Sequence, residues 1–306
     1  MKLSPHPVTL RQLQYVVAVA DQKSFRKAAA ACHVSQPSLS AQVAQVEGLL
    51  GTRLFERDKR HVTITTAGLA IVERARALLV GADDFVDAAR AFADPFAGAL
   101  RLGMIPTISP YLLPEIAPLL RKRFPRLALL WSEEKTATLL EQLEQSRLDG
   151  VVVAVESDIG DGPRVVIGKD LFLFAAPAGH RLMKTKQPIR PADLEGETVL
   201  LLDDGHCFRE QALAVCAKGG AEEAGYRATS LQTLVQMVAG GVGVTLLPRL
   251  AISVENRRRT LQVRSFAPRE PSRTLALVWR KTSTRETVLQ AVGATMKEGY
   301  GRLLES

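Results

Sequence analysis

A chain of 306 residues, 46% apolar and 24% charged, is long enough for two ordinary domains with full cores and leaves no room for a low-complexity protein. A net charge of +8 permits a polyanionic partner, and no run approaches the roughly 20 apolar residues of a membrane span. Three cysteines without framework spacing fit a reducing cytoplasm rather than a disulfide-stapled secreted scaffold, and Tyr15–Ala20, the first apolar run, is too short for a signal core.

Thr9 is placed to cap a helix from Leu10 to about Asp21, with Leu10, Leu13, Val17 and Ala20 on one face. Ser24 caps a second helix, Phe25–Cys32. After the short turn His33–Val34, Ser35 caps a third, with Pro37 in the first turn where proline is tolerated. On that third helix Leu39, Val43, Val46 and Leu50 share an inward face, leaving Pro37, Ser38, Ala41 and Gln45 outside. Helix, short turn and helix with a small polar outer face is the helix-turn-helix arrangement, whose second helix enters the DNA major groove. Leu54–Arg57 and His61–Ile64 read as two strands of a wing. Arg57, Lys59 and Arg60 at its tip suit phosphate contacts. Cys32, just before the turn, is expected to be a small buried residue.

A long helix is predicted from Ala67 to Asp94. Ile71, Ala75, Leu78, Ala82, Phe85, Ala89 and Phe92 recur on it at heptad steps, the pattern of a homodimer seam. Pro95–Gly98 breaks the chain. Beyond it, strands alternate with helices. Strands are expected at Leu100–Met104, Leu127–Trp131, Gly150–Val155, Leu171–Ala176, Thr198–Leu202, Val242–Leu247, Leu261–Ser265 and Thr274–Trp279. Helices are expected at Tyr111–Arg123, Ala137–Leu148, Ser230–Ala239 and near Glu286–Leu304. This is an α/β pattern with mostly parallel sheet, in which ligands bind beyond the carboxyl ends of strands.

Gly205–Cys216 concentrates the chemistry, because it holds two of the three cysteines. Cys207 follows His206 and opens a predicted helix. His206, Arg209 and the backbone N–H groups of the helix start are donors near its sulfur, and positive partial charge at a helix start favours thiolate over thiol. In one continuous helix Cys207 and Cys216 would lie about 13 Å apart on opposite sides, whereas a disulfide needs Cα atoms within about 7 Å. Either the two never bond, or bonding requires the segment to unwind. Gly219-Gly220 would ease such a change. No metal-ligand cluster is present and no cofactor is expected.

Phe25 with Ala28-Ala29, Val34-Ser35-Gln36-Pro37-Ser38-Leu39-Ser40, Leu54-Phe55-Glu56-Arg57 and Thr65-Thr66-Ala67-Gly68 resemble the N-terminal pattern of the LysR-type transcriptional regulators. Gly205-His206-Cys207, the following Arg209 and Gln211-Ala212, and Cys216 at this interval resemble the peroxide-sensing OxyR branch of that family, as do Gly103–Thr107, Glu133–Leu140 and Arg273-Thr274. The resemblance implies a winged helix-turn-helix domain over 1–66, a linker helix over 67–97 and a regulatory domain over 98–306. The last would resemble periplasmic solute-binding proteins, with one subdomain at about 98–168 and 275–306 and the other at about 169–274. It implies base contacts from Gln36, Pro37, Ser38 and Ser40, and a peroxide pocket of Thr107, Thr136, His206, Cys207 and Arg273. Glu210 stands where OxyR sequences have Asp, which implies a tuned rate.

By the same resemblance, Cys207 is oxidised by hydrogen peroxide and pairs with Cys216, and a glutaredoxin- or thioredoxin-type reductant resets it. The resemblance further implies promoter DNA, RNA polymerase and a homotetramer built from linker-helix dimers as partners, with no enzymatic turnover. A LysR-type regulator holding a small metabolite in the same cleft is one competing possibility; a thiol peroxidase that turns over is another, against which the winged helix argues.

Overall fold

The computed structural model describes residues 6–57, 62–91, 94–185 and 187–305, and the chain divides into two compact units between Ala89 and Arg90. The first unit contains α1 (Leu10–Gln22), α2 (Phe25–Ala31), α3 (Gln36–Leu50), β1 (Phe55–Arg57), β2 (Val62–Ile64) and most of α4 (Thr66–Ala91). Local chemistry sets its boundaries. Thr9 and Gln12 form a capping box, Ser24 and Ser35 accept from the backbones of Lys27 and Ser38, and Gly51 ends α3 in the left-handed region at φ +63°.

Tyr15, Val16, Val19, Phe25, Leu39, Val43, Val46, Phe55 and Val72 form the core of this unit. Buried Gln12 donates to Gln42 and Gln45 at 3.0 and 3.1 Å and so ties α1 to α3. One oxygen of Glu47 accepts from the backbones of Leu54 and Phe55, at 2.7 and 3.1 Å, which fixes where the wing leaves α3.

Several sequence expectations change here. Leu50 is 42% exposed, not inward, because α3 stops there at Gly51. The buried side of α1 is Gln12, Tyr15, Val16 and Val19, while Leu10 and Leu13 line an apolar groove of about 450 Å3 with Leu50 and Leu78. Cys32 is half-buried, since it is the C-cap of a short helix and is covered on one side only. On α4 the heptad stripe divides. Ala75 is buried in its own unit, whereas Leu78 and Phe85 are 59% and 78% exposed. The side chain of Ala89, and Phe92, lie outside the described residues.

The second unit runs β3 (Gly98–Met104), α5 (Ser109–Arg123), β4 (Leu127–Glu133), α6 (Thr136–Glu144), β5 (Gly150–Ala154), β6 (Arg164–Pro177), β7 (Thr198–Leu202), α7 (Cys207–Lys218), β8 (Glu222–Ala228), α8 (Leu231–Ala239), β9 (Thr245–Pro248), α9 (Arg249–Glu255), β10 (Leu261–Ser265), β11 (Ser272–Val278) and α10 (Glu286–Glu305). It is an α/β fold of two subdomains, and one long strand, β6, runs through both. The first half of β6 pairs with β11, and its second half pairs with β9 and β10.

The sheet is mixed rather than mostly parallel. β3 pairs parallel with β4 and β5, but β11 is antiparallel to β5 and β6. The alternation rule describes a chain that always recrosses the same way. Here the chain leaves along β6 and comes back along β11, so the returning strands run opposed. Thr198–Leu202 and Leu261–Ser265 stand where the pattern placed them, whereas β8 and α9 had no expectation at all.

Candidate functional site

Cys207 is the first residue of α7, and His206 is its N-cap in extended conformation (φ −84°, ψ 116°). The turn before it needs Gly205 at φ +85°, where a Cβ would also meet Cδ of Lys135 at 3.0 Å. Cys207 and Cys216 are both buried, both free and both on α7. Helical rise over that interval holds them about 13 Å apart, so this fold is that of the reduced protein and no disulfide forms without unwinding α7. Burial in apolar surroundings pushes the Cys216 thiol up to about 12.

Cys207 lines a cavity of about 420 Å3 between the two subdomains, with Thr136, Gly205 and Glu210 among its other walls. Thr136 opens α6 on the opposite side. It is buried, and its hydroxyl has no hydrogen-bond partner. Such a group raises the energy of the empty site and is satisfied by a small polar ligand. Glu210 is exposed and lies in the first turn of α7.

His206 is buried, and its Nε2 lies 3.0 Å from Oδ1 of Asp203. Burial holds the imidazole below its ordinary pKa, with Lys135 acting the same way, while Asp203 and the Thr229 backbone oppose them. The other oxygen of Asp203 is 3.1 Å from Nζ of Lys135, which also donates to the Asp204 carbonyl at 2.7 Å. Lys135 lies in the Glu133–Leu140 stretch and Asp203 in none of the motifs, and they stand 68 residues apart.

Thr107 and Arg273 do not line the Cys207 cavity; they form a cluster of their own. Arg273 is fully buried, its Nη1 donating to the Thr107 hydroxyl at 2.7 Å and its Nη2 to the Thr107 carbonyl at 2.8 Å. Nε of Arg273 donates to Asp170 at 3.0 Å. Burial pushes the Asp170 carboxyl up, and the adjacent Arg273 guanidinium pulls it back. Phe208, next to the cysteine, joins this cluster to α7: its ring lies 5.5 Å from the Arg273 guanidinium and packs edge-on against Phe172.

Arg209 does not turn toward the sulfur. It spans to β8, donating to Asp204 and Glu223 at 3.0 Å each, because those carboxylates flank it. Its hydrogen bond to Glu223 holds that carboxyl below its usual range.

On the first unit, Gln36, Pro37 and Ser38 are exposed at the start of α3, and Ser40 is half-buried. The side chain of Arg57, and Lys59 and Arg60, lie outside the described residues.

Two family models match this chain: "Bacterial regulatory helix-turn-helix protein, lysR family" over residues 10–69 and "LysR substrate binding domain" over residues 93–301. The DNA-binding transcriptional dual regulator OxyR of Escherichia coli is 39% identical over 303 residues, which cover 97% of this chain and 99% of that protein. The chain belongs to the LysR family, in its OxyR branch.

A probable hydrogen peroxide-inducible genes activator of Mycobacterium avium is 41% identical over 280 residues, or 91% of this chain and 90% of the relative. Among solved OxyR structures, the full-length Pseudomonas aeruginosa protein with a cysteine-to-aspartate substitution superposes with a TM-score of 0.74 at 33% identity, covering 96% of each chain. A peroxide-bound Corynebacterium glutamicum OxyR with a cysteine-to-serine substitution gives 0.68 at 30% identity, over 98% of this chain and 95% of that one. As in the LysR family generally, a helix-turn-helix unit here precedes an α/β domain with a cleft. Among the described residues no helix is long and apolar enough to cross a membrane.

Proposed function

We propose that this chain is a transcription regulator that senses hydrogen peroxide through Cys207. The observation that carries it is a cysteine at a helix start facing an unpartnered buried hydroxyl, Thr136, across a shared cavity. The Cys207 thiolate attacks one peroxide oxygen. The O–O bond breaks, and the other oxygen leaves as hydroxide and takes a proton to become water. The sulfur loses two electrons and becomes sulfenic acid. Cys216 then attacks that sulfur; the S–S bond forms, the S–O bond breaks, and the hydroxyl leaves as water with the thiol proton.

Thr136 holds a peroxide oxygen, and His206, whose Nε2 faces Asp203, sets the start of the helix that carries the reacting sulfur. Thr107 and Arg273 shape the floor beneath α7 through Phe208, and Glu210 tunes the rate from the rim. Because Cys216 starts buried on the same helix, bonding unwinds α7, and the new backbone shifts one subdomain against the other.

We further assign residues 1–66 to DNA binding, 67–97 to a linker and 98–306 to regulation, divided near 168 and 275. Gln36, Pro37, Ser38 and Ser40 read bases, and Arg57, Lys59 and Arg60 hold phosphates. Linker-helix dimers pair into a tetramer in the cytoplasm, RNA polymerase receives the output, and a glutaredoxin- or thioredoxin-type dithiol restores the reduced state.

Reduced protein is treated with a small excess of hydrogen peroxide, its remaining thiols are alkylated, and peptide masses are mapped. A Cys207–Cys216 disulfide absent in Cys207→Ser is expected; free thiols in folded, treated protein overturn the proposal. The cleft volume of about 420 Å3 also suits a small metabolite. In that case Cys207→Ser leaves the DNA response intact.

A further inference from the structure

We propose that Lys135 is a positioning residue for the peroxide reaction: it clasps the two walls of the Cys207 site together in the reduced protein and releases when α7 unwinds. This rests on the function proposed above.

The two groups that meet peroxide come from different subdomains. Thr136 follows β4 on one wall, and Cys207 follows β7 on the other. Hydrogen peroxide has two heavy atoms, so it touches both groups only if the gap between the walls is held to one small molecule. Lys135 immediately precedes Thr136 and occupies the N-cap position of α6, its side chain free of any capping bond. Its ammonium reaches across to Asp203 at 3.1 Å and to the Asp204 carbonyl at 2.7 Å. The other Asp203 oxygen lies 3.0 Å from His206 Nε2 without hydrogen-bond geometry, so the firmer link is the Asp204 carbonyl, two residues before His206, the N-cap of the helix that Cys207 opens. One lysine therefore sets Thr136 on its own side and, through Asp203 and the Asp204–Gly205 turn, the start of α7 on the other.

The same contact opposes the later step. Unwinding α7 from its first turn moves His206 and the turn before it, and so pulls Asp203 and the Asp204 carbonyl away from Lys135. An ordinary surface ion pair would influence both steps alike or neither. A clasp speeds sulfenic acid formation and slows disulfide closure.

The experiment measures the two steps separately in the full chain. In a Cys216→Ser background, rapid mixing with hydrogen peroxide and trapping of the sulfenic acid gives the first rate. With both cysteines present, peptide mapping against time gives the second. Lys135→Met is expected to slow the first step about fivefold, the change to which a partly exposed ion pair of about 1 kcal/mol converts, and to leave the second equal or faster. Lys135→Arg restores the first rate. In 1 M salt, where screening reaches down to about 3 Å, the parent falls toward the Lys135→Met rate while that variant hardly changes. NMR titration of His206 supplies a further readout: its pKa rises when Lys135 is removed.

A Lys135→Met first step at the parent rate overturns the clasp, and so do two steps slowed together. If the parent forms no sulfenic acid at all, the peroxide function itself fails, a result distinct from loss of the clasp alone.

Discussion

The Arg273 guanidinium lies 5.5 Å from the ring centroid of Phe208 while its nitrogens donate to Thr107 and Asp170. One fully buried cation thus links β11, β6 and the loop before α5 to the second residue of α7. Arg273→Met leaves Asp170 buried without its partner, and is expected to destabilise the reduced protein by about 3–5 kcal/mol. Phe208→Ala is expected to cost about 3 kcal/mol. Because the two side chains touch, urea unfolding of the double variant should show a loss smaller than the sum by about 0.5–2 kcal/mol. Strict additivity would mean that Phe208 and Arg273 do not communicate.

His206 makes the reduced protein sensitive to acid. Its folded pKa is depressed, chiefly by burial, so the unfolded chain takes up its proton first as pH falls. The stabilisation is present above the unfolded value of about 6.5 and is lost as pH drops below it toward the folded value. Thermal unfolding followed from pH 7.5 to 5 should show this loss, and His206→Gln should flatten that part of the curve.

Gln211 lies on α7 between the two cysteines, and neither its amide oxygen nor its nitrogen has a hydrogen-bond partner. The helix that must unwind therefore carries a built-in defect. Gln211→Leu is expected to stabilise the reduced form by about 1–2 kcal/mol and to slow closure of the Cys207–Cys216 disulfide, with little change in sulfenic acid formation. Thiol mapping against time checks this, and unchanged closure would remove Gln211 from the switch.

Phe85 and Leu78 stand 78% and 59% exposed on α4, one heptad apart. Burying such side chains against a second copy is worth about 1.5–3 kcal/mol each. Phe85→Glu should therefore raise the dissociation constant of the dimer by one to two orders of magnitude, read by light scattering across a dilution series. Unfolding of the monomer should stay unchanged, since Phe85 is 78% exposed. An unaltered mass profile would place the seam elsewhere.

What could be read from the sequence was local or repeated. Thr9, Ser24 and Ser35 cap helices because each oxygen bonds an N–H three residues on, and Gly51 ends α3 because that turn has positive φ. The interval between Cys207 and Cys216 was enough to forbid a disulfide within one helix. By contrast, β8 was hard to see: Glu222–Ala228 is mostly exposed, and its alternation of Ala224, Tyr226 and Ala228 is short and broken by Gly225. The direction of β11 was equally hidden, because an apolar strand reads the same whichever way its neighbour runs. Lys135 meets Asp203 across 68 residues, and Thr107 meets Arg273 across 166. Hydrogen bonds between such distant groups follow from where the sheet and the two subdomains set the backbone. The sequence by itself therefore determined the domain types and the capped helix starts, set by short-range chemistry and periodicity, while the cysteine pair was singled out by its resemblance to the OxyR branch and α6 ended at Glu144 rather than Leu148. Only the tertiary structure decided that Thr136 faces Cys207 across a cleft, that Arg273 supports α7 from beneath, and that Lys135 joins the walls, because those relations exist only once the subdomains have packed.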